Sequence, residues 1–430
     1  MKKQVPSKTR WQRVRKLFND IHLWLGLTCG LVVIVVCFSG TIYVFNTEIT
    51  EWGAPHLYHV EQYEGKQRMP ADSLLKKVEV AAGKVTRVMV PAALDRTYEF
   101  TVQSEGGGAR GRGVTYFVNP YSGEIVGSSK DKNSARDFMS TMFSLHRWLL
   151  LDKIETPIID GMENRKLGSM ITGWATILFT LGCLTGLVIW FPQKAKHWRQ
   201  GLKIKWRAGW KRLNHDLHNT FAFYAFFFLL LMGLTGPQWS FTWYRTGLQK
   251  TLGTYKEPPA AAKQPGNAAN EGRKGKDATP ASAADTLATM PVDHYIQAAD
   301  SLLAYTGNCA IALPAEPGAK TMITKTKTGF FAPAAGDRIT IDPVTGKTVK
   351  VEIFADKPFN ERIAGSIKAI HVGNVYGTFT KILYFLACLI ATTLPITGTL
   401  IWINKMKKGN RKKNKPQKTA MPARDEAFQA

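Results

Sequence analysis

Four long apolar stretches constrain the fold of this chain more than any other feature of its sequence. They cover residues 23–45, 170–191, 221–236 (with a Trp- and Phe-rich continuation to 244) and 378–403. Each is close to the roughly 20 residues that an α-helix needs to cross the hydrocarbon core of a membrane. The third could instead be a buried helix of a soluble core, but its "FAFYAFFFLLLMGL" has no polar face. We therefore expect an α-helical membrane protein, with transmembrane helices over residues 22–46, 170–191, 215–244 and 371–403.

The distribution of positive charge indicates how these helices are oriented. The chain has 57 Lys and Arg against 32 Asp and Glu, a formal net charge of +25. The excess is concentrated before the first apolar stretch, between the second and third, and after the fourth. The positive-inside rule makes these three segments cytoplasmic, at residues 1–21, 192–214 and 404–430. The lipid bilayer then accounts for the charge, and we expect no nucleic-acid partner.

Repeated motifs indicate an internal duplication. Each apolar stretch contains a hydroxyl residue followed by glycine, at Ser39-Gly40, Thr185-Gly186, Thr235-Gly236 and Thr397-Gly398. One such pair only indicates close helix packing. However, the spacing from His22 to Gly40 equals that from His218 to Gly236. We therefore expect a four-helix bundle made of two halves, each with the order helix, outer domain, helix.

The segments outside the membrane repeat as well. Residues 115–128 ("TYFVNPYSGEIVGS") and 338–351 ("RITIDPVTGKTVKV") both predict a β-hairpin with a glycine in its turn. Each hairpin is preceded by an amphipathic helical pattern that follows Met-Pro and has Asp72 or Asp293 in its first turn. We expect two small α+β domains, at residues 47–140 and 245–370, an outer interfacial segment at 141–169, and a disordered linker at 257–285.

Four histidines flank the membrane helices at two depths. His22 and His218 precede the first and third apolar stretches, near the cytoplasmic side. A continuous fourth helix, at 1.5 Å per residue, would place His371 about 40 Å from Gly398, at the outer end. His146 occupies the corresponding position of the first half, if the "IETPIIDGMENRK" that follows it is an insertion. Two facing imidazoles at one depth are the axial ligands that a b-type haem requires.

Alternatives to this ligand set remain open at the level of the sequence. A single interfacial histidine is often only a polar cap, and the repetition of two pairs argues against that interpretation. Zinc is less favoured, because no carboxylate or cysteine lies at a matching depth. His215 lies one helical turn before His218 and could replace it as ligand. Arg147, next to His146, could pair with a haem propionate or an anionic chelate, or could reach the membrane interface as a snorkelling residue.

The chain resembles the PepSY-associated transmembrane helix family. The residues that carry the resemblance are "IHLWLGL" and "DLHNTFAFY" at the start of membrane helices, "LHRWLL" and "IHVGNVYG" after the outer domains, and the hairpins "VNPYSGE" and "IDPVTGK", which look like PepSY repeats. The family includes iron-regulated inner-membrane proteins of Gram-negative bacteria, some of which are haem b-containing reductases of periplasmic ferric siderophores. The sequence departs from an "LHRWLGL" pattern at Leu149-Leu150.

The resemblance implies a membrane oxidoreductase of the bacterial inner membrane with haem b, two per chain on the ligand set above. Such a protein would pass electrons from the cytoplasmic side to a periplasmic ferric siderophore or other iron chelate and release Fe(II). No G-x-G-x-x-G opens a βαβ unit, so we expect a quinol or a soluble reductase as electron donor. One alternative is a membrane-anchored PepSY module that binds peptides or regulates proteases without redox activity. Transport is disfavoured because ionisable residues are almost absent from the middle of the helices.

Overall fold

A computed structural model describes residues 9–61, 64–103, 113–192, 195–257, 290–314 and 319–413. Its α-helices, in chain order, are α1 (Arg10–Tyr43), α2 (Asn46–Trp52), α3 (Pro55–Tyr58), α4 (Ala71–Ala82), α5 (Ser134–Trp148), α6 (Asn164–Trp190), α7 (Trp210–Thr235), α8 (Thr242–Thr251), α9 (Val292–Leu302), α10 (Phe359–Val372) and α11 (Gly377–Lys413). Short 3-10 helices cover Leu151–Lys153, Ala195–Leu202 and Pro237–Trp239. Nearly all of the linker predicted at 257–285 lies outside the described residues.

Four of these helices, α1, α6, α7 and α11, are long and apolar enough to cross a membrane, which confirms the four predicted spans. They pack in a ring in which α1 contacts α6 and α11, and α7 contacts the same two helices. The first begins earlier than predicted, at Arg10, because Thr9 and Gln12 form a capping box there. The third ends earlier, at Thr235, where Pro237 begins a 3-10 turn.

The prediction that His371 begins a continuous fourth membrane helix is wrong. His371 belongs to α10, which ends at Val372 and is followed by Gly373 in the left-handed conformation with φ 75°. A Cβ at Gly373 would lie 2.5 Å from the Tyr384 ring, so the chain can turn tightly only with glycine here. The membrane helix α11 starts separately at Gly377. His146 likewise lies on a separate helix, α5, that precedes the membrane helix α6.

The two predicted outer domains form a single antiparallel sheet. The strands are β1 (Val85–Val90), β2 (Tyr98–Val102), β3 (Val114–Val118), β4 (Ile125–Ser128), β5 (Gly307–Ala312), β6 (Thr321–Lys327), β7 (Asp337–Ile341) and β8 (Thr348–Glu352). Their order is β4-β3-β2-β1-β5-β6-β7-β8, and Val88 pairs with Ile311 at the centre. Pairing of β1 with β5 satisfies the backbone groups that each half would otherwise expose at a strand edge. The prediction of two separate small domains is therefore wrong, although both predicted hairpins form.

One hydrophobic core extends across both halves of this sheet. Helices α4 and α9 cover the same face, and the core joins Leu74 and Phe100 of the first half to Tyr295 and Ile311 of the second. All four side chains are completely buried. The sheet and these two helices therefore form one structural unit, which we call the sheet domain.

The two helices of the sheet domain cap each other. The carboxylate of Asp293, in the first turn of α9, accepts hydrogen bonds from the backbone N–H groups of Ala71 (2.8 Å) and Asp72 (3.1 Å) in α4. The Asp72 carboxylate accepts one from the N–H of Val292, at 2.8 Å. Each aspartate thus satisfies free donors at the start of the other half's helix.

Replacing Asp293 with alanine should lower the free energy of unfolding of the sheet domain by about 1–2 kcal/mol, the usual cost of losing an N-cap side chain. The loss falls on α4 although the substitution is in α9. Amide hydrogen exchange should show faster exchange at Ala71 and Asp72. Ser301→Ala, at an exposed position of α9, is the control. The neighbouring Asp300 is unsuitable because it pairs with Lys325. Unchanged exchange at the start of α4 would contradict the shared capping.

Candidate functional site

The first pair of histidines lies at one end of the helix bundle. His22 projects from α1 towards α6, where its Nδ1 lies 3.0 Å from the Gly182 carbonyl oxygen and 3.1 Å from Thr185 Oγ1. His218 projects from α7 towards α11, with its Nδ1 2.8 Å from Thr397 Oγ1. Both side chains are half-buried.

The second pair lies at the other end of the bundle, towards the sheet domain. His146 of α5 has its Nδ1 2.9 Å from the carbonyl oxygen of Val36 in α1. His371 of α10 has its Nδ1 2.9 Å from Thr235 Oγ1 in α7. The centroids of the two imidazole rings lie 6.2 Å apart, and the ring planes are inclined by 64°.

The partners of the four imidazoles fix where their protons lie. Each threonine hydroxyl that contacts a histidine donates its own hydrogen to a backbone carbonyl one turn earlier in its helix, as Thr397 does to Thr393 O at 3.0 Å. Such a hydroxyl can only accept from the histidine, and so can the carbonyl groups of Gly182 and Val36. Each Nδ1 is therefore the protonated nitrogen, and each Nε2 carries a lone pair available to a metal.

Each imidazole also packs against one of the four glycines of the repeated hydroxyl–glycine motifs. A Cβ placed on Gly186 would lie 3.2 Å from the His22 ring, and one on Gly398 would lie 3.2 Å from the His218 ring. For Gly40 and His146 the distance is 3.2 Å, and for Gly236 and His371 it is 3.3 Å. Such distances are closer than ordinary van der Waals contact, so the glycines make room for the rings. The sequence showed the motifs and the histidines but not which motif receives which ring.

The first pair lines a cavity of about 870 Å³. This volume lies within the range of about 300–1,000 Å³ that is usual for cofactor sites. Its walls are mostly apolar and include several glycines next to the histidines; these glycines are Gly26, Gly30, Gly182, Gly186 and Gly398. At the end nearest the basic segments, Arg15 lines the cavity and donates a hydrogen bond to the Ile189 carbonyl oxygen at 2.9 Å. Arg15 could not be singled out from the sequence, because it is one of many basic residues in that segment.

Burial keeps the second pair neutral. Desolvation lowers the pKa of His146 below its ordinary value. It lowers the pKa of His371 to about 3, with the nearby His146 as a smaller cause. At neutral pH both imidazoles are therefore uncharged, the form that ligates metals.

The separation of the second pair fits one metal ion between the rings. A metal–imidazole nitrogen bond is about 2 Å long, so two imidazoles bound on opposite sides of one ion have ring centres about 6 Å apart. The observed 6.2 Å agrees with this value. Among the described residues, no group of three or more His, Cys, Asp or Glu side chains is placed to hold a metal ion by itself. A pair of histidine nitrogens is, however, the donor set that holds the iron of a b-type haem.

Two further predicted residues lie near these pairs. His215 is exposed; its ring contacts Asn219, and its Nδ1 lies 3.6 Å from Asp216 Oδ1. It has none of the hydroxyl–glycine contacts that His218 makes. Arg147 is half-buried beside the second pair, and its Nη2 donates to the Trp239 carbonyl oxygen at 3.4 Å.

Comparison with known proteins identifies the family. No curated protein matches this sequence. A family model described as the PepSY-associated TM region matches residues 20–405, which include all four membrane helices' apolar parts, the sheet domain and the four histidines. The chain therefore belongs to the PepSY-associated TM region family.

Proposed function

We propose that this protein is a haem b-containing oxidoreductase of the bacterial inner membrane. In this proposal it passes electrons from the cytoplasmic side to a periplasmic ferric chelate, such as a ferric siderophore, and releases the iron as Fe(II). One observation carries the proposal: four histidines share a single arrangement, with Nδ1–H donating to a helix, the ring against a glycine and Nε2 free.

The residues present fit two haem groups. His22 and His218 would hold one at the cavity of about 870 Å³, and His146 and His371 would hold the other. A bound haem supplies reversible one-electron transfer at its iron, with a potential set by its ligands and surroundings. Arg15 is placed to meet a negative charge at the rim of the first site.

The chain's own contribution is to ligate, orient and insulate. The Nδ1–H bonds to Gly182, Val36 and the threonine hydroxyls hold each ring at a fixed angle and increase the basicity of Nε2. Between the two pairs the bundle is packed with apolar side chains around Ala225, Leu229 and Ala391.

The placement of the two pairs at opposite ends of the bundle supports transfer across the membrane. If the basic segments are cytoplasmic, as the positive-inside rule predicts, the His22–His218 pair would lie at the cytoplasmic end, where a quinol or a soluble reductase would donate. The sheet domain, beyond the His146–His371 pair, would then be periplasmic. One electron converts ferric to ferrous iron, and the softer Fe(II) is held less tightly by hard oxygen ligands, which releases it from the chelate.

The absorption spectrum of the protein, purified in detergent after expression with adequate haem, tests this proposal. We expect sharp b-type bands after reduction by dithionite and about two haems per chain by pyridine haemochrome assay. One haem per chain would limit the proposal to a single site and exclude transfer between two. A colourless protein would overturn the redox function and leave a membrane-anchored PepSY module that binds peptides.

A further inference from the structure

Three arginines lie together beside the His146–His371 pair. They come from separate elements: Arg147 from the end of α5, Arg165 from the first turn of α6, and Arg245 from α8. We call them the arginine cluster. Two of them donate to neighbouring carbonyl oxygens, Arg147 to Trp239 at 3.4 Å and Arg245 to Gln238 at 3.1 Å. Arg147 and Arg165 lie over the same Trp148 ring, at 6.0 and 4.1 Å from its centroid.

The arginines of the cluster are not engaged in ion pairs in the described part of the chain, whereas Arg96 and Arg212 each pair with a carboxylate there. Arg147 is half-buried, and it shares the Trp148 ring with the second cation, Arg165. A partly buried cation surrounded by like charges is costly unless an anion compensates it. The arrangement therefore favours an anionic ligand.

The cluster borders the second histidine pair directly. Arg147 follows His146 in sequence, and the Trp239 ring lies 4.9 Å from the ring of His371. Among the described residues the second half has no counterpart at this place, because His371 is followed by Val372 and α11 begins after a short turn. In the first half, residues 154–163 lie between α5 and α6, and Arg165 in the first turn of α6 lies over Trp148. The cluster is thus a local addition to one of the two halves.

We propose that Arg147, Arg165 and Arg245 form a binding site for a carboxylate-bearing anion next to the His146–His371 pair. The carboxylate belongs either to a propionate of a haem held by that pair or to the ferric chelate itself; in both cases the inference rests on the proposed function. Guanidinium groups match a carboxylate in charge and in the geometry of two parallel hydrogen bonds. Arg165 and Arg245 are exposed and Arg147 is half-buried, so the site has an open rim and a deeper cationic floor.

The test uses Arg165→Gln and Arg245→Gln, with Arg338→Gln as a matched control on an exposed position of β7. The proteins are purified in nanodiscs of zwitterionic lipid. Gallium(III) citrate is the probe, because it carries carboxylates and Ga(III) is not reduced as Fe(III) would be. Its binding is measured by calorimetry. Haem content and the midpoint potential are measured on the same samples.

If the chelate supplies the carboxylate, both cluster variants should weaken gallium citrate binding by about tenfold or more, with haem content unchanged. If a propionate supplies it, gallium citrate binding should stay the same. The variants should then lose haem or show a lower midpoint potential, because removing a positive charge disfavours the reduced form. The Arg338→Gln protein should match the wild type in both cases.

Unchanged haem content, potential and gallium citrate binding in both variants would overturn the proposed site. This failure can be told apart from failure of the proposed function. A coloured protein that is indifferent to the arginine substitutions keeps the redox function and loses the anion site. A colourless protein whose gallium citrate binding depends on the cluster keeps the anion site and loses the redox function.

Discussion

In the proposed haem protein, replacing Gly398 with leucine should remove one haem from each chain while leaving all four histidines in place. The Cβ alone would lie 3.2 Å from the His218 ring, and the rest of the leucine side chain would occupy the space of the imidazole. His218 would have to rotate away and would lose its hydrogen bond to Thr397 Oγ1. Only His22 would then remain to hold the proposed cofactor at this site.

The measurement is haem per chain by pyridine haemochrome assay, beside the reduced spectrum. We expect about two haems in the wild type and about one in Gly398→Leu, the same loss as in His218→Ala. Gly247→Leu is the matched control, since a Cβ at the exposed Gly247 meets nothing within 4 Å. His215→Ala separates the two candidate ligands of α7 and should keep both haems. Full haem content in Gly398→Leu would show that the contact between ring and glycine does not position the ligand.

The membrane spans could be predicted because their signal is local. A helix that crosses a bilayer must be apolar over its whole length, and that composition is visible in α6 or α11 without knowledge of its neighbours. The histidines could be recognised for the same reason, as isolated polar residues at the ends of apolar runs. Nothing in the sequence showed that His22 packs on Gly186 rather than on another glycine, because that contact joins residues far apart in the chain.

The sequence contains a signal for the turn between α10 and α11, but the long apolar pattern around it predicts a single continuous helix. The segment "IHVGNVYG" has glycines at 373 and 377, and both adopt positive φ in the structure. A periodic apolar pattern continues through such a turn, so hydropathy alone predicts one helix. As a result, the His371 ring on α10 lies 6.2 Å from the His146 ring, while α11 runs as a separate membrane helix.

The joining of two halves into one sheet could not be predicted, because the pairing of β1 with β5 leaves no local trace. Each half contains four strands and one covering helix, which is also the pattern of a complete small α+β domain. The decisive contacts, such as Val88 with Ile311, depend on the arrangement of the whole chain. The hairpins and covering helices could therefore be predicted from the sequence, but their association into one sheet could not.

Replacing Phe100 with alanine should destabilise the whole sheet domain, not only the half that contains it. Phe100 of β2 is completely buried in the core that extends to Ile311 and Ile339 of the second half. Loss of a buried phenylalanine costs about 3–5 kcal/mol. If the sheet opens as one cooperative unit, that cost appears at every strand, including β8 at the far edge.

Hydrogen exchange measured by mass spectrometry on the purified membrane protein resolves the two halves. The informative amides are those of the core strands that exchange only when the whole domain opens. In Phe100→Ala their exchange should accelerate by about a hundredfold or more, equally in β1–β3 and in β5–β7. Val80→Ala, at a position of α4 that is 92% exposed, should leave exchange unchanged. The reciprocal variant Ile311→Ala should act on both halves in the same way, since Ile311 pairs with Val88 across the central β1–β5 junction. Acceleration confined to the half that carries the substitution would mean that the two halves are energetically separate despite their shared core, and that the sheet domain does not unfold as one unit.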